Sequence, residues 1–224
     1  MMNTRIEKIA EMVKPGMVVA DIGTDHAFLP ILLIRKGISG KVYACDISEG
    51  PLKQARANIA REGLTDAVIP ILSDGFDNVP SDTEGAVLAG MGYYTAAAIL
   101  EKAMVRLPDL KQIIVEVNRN VREMRQWISD HHFTIEDEEC IRDRDFDYIA
   151  ISFTAEEHAP YSGEEILLGP VLMHKDSETY RGYCRKQVKR LDTVIEHSRD
   201  TAKTEEARKE RTLWQGILDS NGGN

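Results

Sequence analysis

Apolar residues fall in short continuous runs along the first half of the chain, and each run ends in an acid, a glycine or both. Val18-Val19-Ala20 closes on Asp21-Ile22-Gly23, Val42-Tyr43-Ala44-Cys45 on Asp46, Val68-Ile69-Pro70-Ile71-Leu72 on Ser73-Asp74-Gly75, and Ala86-Val87-Leu88-Ala89 on Gly90-Met91-Gly92. Runs of this length without alternation suit strands covered on both faces of a parallel sheet. Between them the period lengthens to that of a helix. Thr4 to Val13 carries Ile6, Ile9, Ala10 and Val13 before Pro15-Gly16 and is expected to pack on the sheet edge. His26 to Arg35 reads as the first crossover helix, and Ser48 to Arg61 as the second, with Ser48 as its cap and Pro51 in its first turn. Tyr93 to Leu107 is expected to be helical up to Pro108, and Val121 to His131 after it. Gln112 to Val117 supplies a fifth strand, and Phe133 to Cys140 with Phe146 to Phe153 an antiparallel closing pair. The pattern is an α/β sheet of seven strands with flanking helices, although spacing alone does not give the strand order.

The period changes again after Ala155. The segment Ala155 to Gly163 reads as a linker, and Cys184, Val188, Leu191 and Ile195, then Leu213, Trp214, Ile217 and Leu218, form two helical stripes. An antiparallel, coiled-coil-like helix pair follows from them. The expected division is a catalytic domain over residues 1–155 and a C-terminal helical domain over 156–224. The terminal Ser220 to Asn224 is expected to lack structure.

In open α/β sheets the ligand crevice lies beyond the carboxyl ends of the strands. Gly23 permits a tight turn there, and Asp46 stands where an acid can accept both hydroxyls of a ribose. The ordered set Asp21-Ile22-Gly23, Asp46, Asp74-Gly75 resembles the Rossmann-like S-adenosylmethionine-dependent methyltransferases. Ala20 to Pro30 with Ala89-Gly90-Met91-Gly92 is similar, more narrowly, to the bacterial tRNA (adenine(22)-N1)-methyltransferase family, because Asp25-His26 stands where most methyltransferases carry glycine. The likeness runs from about Ile6 to Phe153, with a helical tail of the kind that family has. The chain departs from the family at Phe28, where Tyr is expected, at Tyr93, where a further Gly is expected, and at Glu116-Val117-Asn118, where Gln-Pro-Asn is expected.

The resemblance implies S-adenosyl-L-methionine as cofactor, tRNA as partner and methylation of adenine N1 as the activity. Asp21, Gly23, Asp46, Ile47, Asp74, Gly75 and Gly90 are then the candidate cofactor residues, Asp74 either accepting from the cofactor's adenine amine or holding its loop. Adenine N1 has an in-plane lone pair, so a group that fixes the neighbouring N6 amine aims it, and a carboxylate favours the cationic product. Asp25, His26 and Asn118 are the catalytic candidates. Asp25 can equally serve as a helix cap and His26 as a structural hydrogen-bonding residue. Met91, Gly92 and Tyr93 are candidates for the substrate base, with Tyr93 or Tyr94 able to stack on it.

Charge modifies this picture. The net charge is −9, an unpromising average for a polyanion binder. Residues 1–154 hold 17 basic and 24 acidic side chains, whereas 155–224 hold 11 and 13. Arg181, Arg185, Lys186, Lys189 and Arg190 lie together in the tail with no acid between Glu178 and Asp192, which makes them candidates for RNA contact or simply a solvated face. Apolar content of 42% is enough for a core, and no run approaches a membrane span of roughly 18 residues. The start has no signal core, so a cytoplasmic protein is expected, as a monomer or weak dimer. Cys45, Cys140 and Cys184 are expected to be reduced. His131-His132 with the acids from Asp137 onward lacks a ligand spacing, so no metal is expected. A small-metabolite methyltransferase and a non-catalytic RNA-binding protein with a relic cofactor pocket are the competing readings.

Overall fold

The computed structural model describes residues 4–117 and 119–220, so Asn118 and the last four positions lie outside it. Helix α1 (Thr4–Met12) precedes β1 (Val19–Ile22), α2 (Phe28–Arg35), β2 (Val42–Asp46), α3 (Glu49–Arg61) and β3 (Val68–Leu72). Then come β4 (Gly85–Met91), α4 (Tyr93–Lys102), β5 (Gln112–Val117), α5 (Val121–Asp130), β6 (Phe133–Asp143) and β7 (Phe146–Glu157). The sheet has seven strands in the order β3-β2-β1-β4-β5-β7-β6. The first five run parallel, and β7 and β6 close the sheet antiparallel to β5 and to each other.

Alternate residues of the central strands feed opposite faces, as the pleat requires. Val19, Val87 and Ile114 pack with Ile9, Ala10 and Leu33 under α1 and α2. Ala20, Leu88, Ile113 and Val115 pack with Ala96, Leu100 and Met124 under α4 and α5. Helix α1 therefore lies across a sheet face, reaching Ile141 and Ala150, rather than only along its edge. The strand order reverses between β1 and β4, and β2 and β4 flank β1 through the same four residues of β1, which places the carboxyl end of β1 at the switch point.

Several boundaries differ from the sequence expectation. Helix α2 begins at Phe28, because Asp25 and Ala27 take left-handed φ values of 48° and 58° that a helix cannot continue. Helix α4 ends at Lys102, not Leu107. Its closing amides tighten onto Ala103, and Arg106 is drawn to the carbonyls of Val79 and Pro80 at 2.5 and 3.1 Å. Ser48 occupies the N-cap of α3 without a side-chain bond; its own amide donates to Asp46 Oδ1 instead.

Strand β7 continues through the expected linker start to Glu157, and a short helix α6 (Gly163–Leu168) follows, opened by a Ser162–Glu165 capping box. Helices α7 (Glu178–His197) and α8 (Thr201–Ser220) lie antiparallel, since Arg181 donates to the Leu218 carbonyl while Arg190 pairs with Glu210 and Asp192 with Arg211. Their stripes do not only pack on each other: Leu168, Tyr180, Cys184 and Trp214 share one apolar cluster with Met124, Ile149 and Phe153 of the sheet unit. All three cysteines are free and buried. No helix among the described residues is long and apolar enough to cross a membrane, and no group of metal-ligating side chains occurs among them.

Candidate functional site

The carboxyl ends of the parallel strands open onto two cavities that meet at Gly23. The larger, about 600 Å³, is lined by Gly23, Asp46, Ile47, Asp74, Gly75 and Met91. The smaller, about 290 Å³, is lined by Asp21, Asp25, His26 and Gly90 together with Arg5 and Thr24. Gly23 has φ +82°, and a Cβ there would come within 3.2 Å of Met91 Cε. Gly75 has φ +58°, and its Cβ would meet Ile99 Cγ2 at 3.0 Å. Both turns therefore use a backbone that side-chain-bearing residues adopt only with strain.

The residues of the larger cavity fit an adenosine. Ile47 is 67% exposed and Tyr94 79% exposed, so two large apolar groups stand open at its wall. Asp46 keeps one oxygen on the Ser48 amide at 2.9 Å and leaves the other for a diol. A flat ring against Ile47 and Tyr94 with its ribose at Asp46 would cover all three. Asp74 reaches the cavity already engaged, because Lys102 Nζ lies 2.9 Å from its Oδ2 and 2.6 Å from Asp77. It enters as half of an ion pair.

Asp21 is the unusual carboxyl. It is buried, and that desolvation, with a further push from the charge of Asp46, raises its pKa from the ordinary carboxylate range to about 7. A carboxyl so placed is held near neutrality until a cation arrives. On the far side of Gly23, His26 Nε2 lies 3.4 Å from Asp25 Oδ2, and both side chains are substantially exposed. The N-cap of α2 is Ala27 and receives no side-chain bond, so Asp25 does not cap that helix. The two positions where glycines stand in most methyltransferases keep a glycine-like backbone here even with Asp25 and Ala27 in place.

Arg5 and Glu116 were not evident as site residues from sequence. The Glu116 carboxylate is fully buried, accepts from the Gly90 amide at 3.0 Å and pairs with Arg5 at 3.0 Å. Burial pushes its pKa upward, against the opposing pull of Arg5. The pair, whose two members are 111 residues apart in sequence, ties the β4 turn to α1. Only the spacing of Arg5 from Ile9, one helical turn, hinted that it faces inward. The α4 wall of the larger cavity, Tyr94, Thr95, Ala98, Ile99 and Lys102, also follows a helical period that its weak hydrophobicity concealed.

Other sequence candidates sit elsewhere. Gly92 and Tyr93 line neither cavity; Tyr93 packs partly buried against the core, and Tyr94 takes the cavity wall. Asn118 lies outside the described residues. The tail's basic row is matched by acids: Arg185 by Glu178 of its own helix at 2.9 Å, and, from other elements, Lys186 by Asp147 of β7 at 2.6 Å and Arg190 by Glu210 of α8 at 3.0 Å. Arg181 lies 3.7 Å from Glu178 and is mostly covered.

A mainly parallel open sheet with a ribose-type acid at the end of β2 and a glycine turn after β1 defines a nucleotide-cofactor-binding α/β domain, and similarity to known proteins narrows the class. Residues 2–151 match the family described as Methyltransferase domain. The tRNA (adenine(22)-N(1))-methyltransferase of Bacillus subtilis is 24% identical over 211 residues, 92% of this chain and 89% of that protein. A Mycoplasma pneumoniae protein provisionally named a tRNA methyltransferase is 30% identical over 181 residues, 77% of this chain and 82% of its own length. The structure of M. capricolum TrmK with S-adenosyl-homocysteine superposes with a TM-score of 0.82 at 25% identity, covering 98% of each chain. The chain belongs to the methyltransferase-domain family, and tRNA (adenine(22)-N(1))-methyltransferases are among the proteins it is similar to.

Proposed function

We propose that this chain methylates N1 of adenine 22 in tRNA with S-adenosylmethionine as methyl donor. The observation that supports the reading best is the meeting of the two cavities at Gly23, one suited to an adenosine and the other bearing Asp25 and His26. When bound, S-adenosylmethionine supplies an electrophilic methyl on a sulfonium. Asp46 accepts from the ribose, Ile47 and Tyr94 cover the adenine ring, and Asp21 offers a carboxylate to the positively charged methionine end. Asp25 accepts from the target N6 amine, which turns the N1 lone pair in line and favours the cationic product. The Arg5–Glu116 pair fixes the Gly90 turn against which the base is pressed. The tail's basic row belongs to the same reading as RNA contact, with Lys189 free of any ion pair among the described residues. Incubation with labelled S-adenosylmethionine and unmodified bacterial tRNA, followed by nucleoside analysis and mapping of the reverse-transcription stop, should give N1-methyladenosine at position 22. Label in another nucleoside, or none in RNA, overturns the proposal.

The Asp21 carboxyl leads to a pH prediction. In the unfolded chain it ionises near 3.9, whereas in the folded protein it keeps its proton up to about 7. Folding stability from this group is therefore fullest below pH 4, falls as pH rises towards 7 and is flat above that. Asp21→Asn should remove that slope and raise the apo melting temperature at pH 8. Binding of the cationic cofactor to the wild type at pH 6.5 should release up to about three-quarters of a proton, visible as a buffer-dependent calorimetric enthalpy. Identical enthalpies in buffers of different ionisation heat would remove Asp21 from the cation's surroundings.

Asp25 offers a separate test, because its φ of 48° lies in the left-handed region that glycine adopts freely and aspartate only at a modest cost. Asp25→Gly should leave the folding stability unchanged or higher by up to about 1 kcal/mol. Single-turnover methylation should nevertheless drop at least about tenfold, within the range a positioned polar group contributes. Turnover equal to the parent on saturating tRNA would show that the carboxylate aims nothing.

A further inference from the structure

A third cavity, of about 560 Å³, lies outside the site described above, between the β5–α5 turn and the C-terminal helices. Its lining includes Arg119 and Arg122 from the turn and Tyr183, Gln187 and Arg190 of α7, together with the acids Glu123, Asp147 and Glu210, of which Asp147 is held by Arg142 and Lys186 and Glu210 by Arg190. Arg119 and Arg122 are exposed, and neither guanidinium has an ion-pair or hydrogen-bond partner among the described residues. The acid nearest to them in sequence, Glu123, accepts from the Asn120 amide at 3.0 Å. Arg125 lines the same cavity although it is 98% buried, and its Nη2 has no partner. The contrast with the tail row is sharp, since Arg185, Lys186 and Arg190 each have an acid within 3.0 Å.

Its position matters as much as its charge. Val117 lines this groove and pairs in the sheet with Met91, which lines the cofactor cavity. Adjacent strand ends stand only ~4.8 Å apart, and the groove at the β5 end is two strands from the β1 end that carries Gly23, a span within the reach of one nucleotide's neighbours. We propose that this groove is a second RNA subsite, in which Arg119 and Arg122 take the backbone phosphates of a nucleotide flanking the target while its base lies against Tyr183. The inference rests on the tRNA reading and adds to it residues of this chain's own. Guanidinium forks match phosphate oxygens bidentately, and two such cations without acid partners supply counterion release that the acid-matched tail row supplies only after its pairs exchange. Flipping the target base costs a few kcal/mol, and contacts one nucleotide away offset that cost where it arises.

The test compares Arg119→Gln/Arg122→Gln with the parent on unmodified tRNA transcript. The substitutions are on the surface, so the melting temperature and S-adenosylmethionine affinity should be unchanged. The KM for tRNA should rise about tenfold with kcat at saturation within twofold, and the slope of log affinity against log salt should become shallower by roughly 1.5, the value for two lost phosphates. Arg119→Lys/Arg122→Lys should restore most of the salt slope and part of the KM. If the parent methylates adenine N1 while the glutamine variant keeps the parental KM and slope, the subsite is wrong and the methyltransferase reading stands. If the parent leaves tRNA unmethylated, the functional reading itself fails.

Discussion

Asp46→Ala should weaken S-adenosylmethionine binding by about 30- to 150-fold, the equivalent of roughly 2–3 kcal/mol for hydrogen bonds to a charged group. The fold should survive, because the carboxylate is only half-buried and its recorded bond within the protein is to the Ser48 amide at 2.9 Å. That bond orders the turn into α3, so a small fall in melting temperature is expected, well short of unfolding. Asp46→Asn keeps an acceptor for one ribose hydroxyl and should lie between the two. Calorimetric titration at pH 8, where Asp21 is ionised in both proteins, isolates the ribose contribution from the proton release expected near neutrality. Affinity equal to the parent for the alanine variant would place the ribose elsewhere, and the match between Asp46, Ile47 and Tyr94 would be coincidental.

What could be read from the sequence and what could not divide along a physical line. Strands β1, β2, β4 and β5 were legible because burial on both faces demands mostly apolar runs, whereas their ends were legible only to within a residue or two: β1 runs through Asp21 to Ile22 and β4 through Gly90 to Met91. Asp46 and Gly75 reach a common cavity by that logic alone. Features made by distant parts of the chain left no local trace. Glu116 reads as a polar break in a strand until Arg5 arrives from α1, and the tail arginines read as unopposed until Asp147 and Glu210 are brought beside their row. The start of α2 failed for another reason: the two left-handed residues around His26 follow no propensity, and strain of that kind persists only where the surroundings impose it. The same strain marks the point where the two cavities meet.

The C-terminal helices depend on one buried ion pair, and its removal should have the largest effect on stability of any single change outside the apolar core. Arg125 Nε lies 2.7 Å from Glu138 Oε1, with the side chains 2% and 0% exposed. Arg125 Nη1 also donates to the carbonyls of Ile166 and Leu167, while Glu138 Oε2 accepts from the amides of Val171 and Leu172 at 3.0 and 3.1 Å. The pair thus joins α5 and β6 to the segment that leads into α7. Gly169 completes the arrangement: at φ +96° it passes so close that a Cβ would stand 2.6 Å from both Arg125 Nη2 and Glu138 Oε2. Glu138→Ala leaves a buried guanidinium without its counter-charge and frees the Val171 and Leu172 amides, which should cost about 3–5 kcal/mol and lower the melting temperature by on the order of 10 °C. Glu138→Gln retains an acceptor for those amides and should lose less. Gly169→Ala leaves both charges present but must push them apart, so it should approach the alanine variant at Glu138 despite adding a single methyl group. Where these proteins remain folded, cofactor affinity should persist and the KM for tRNA should rise, because α7 and α8 are displaced while the Gly23 turn is not. Thermal melts with parallel S-adenosylmethionine and tRNA titrations would check each step, and a Gly169→Ala protein that melts with the parent would mean that the segment yields at no cost and the ion pair does not anchor the tail.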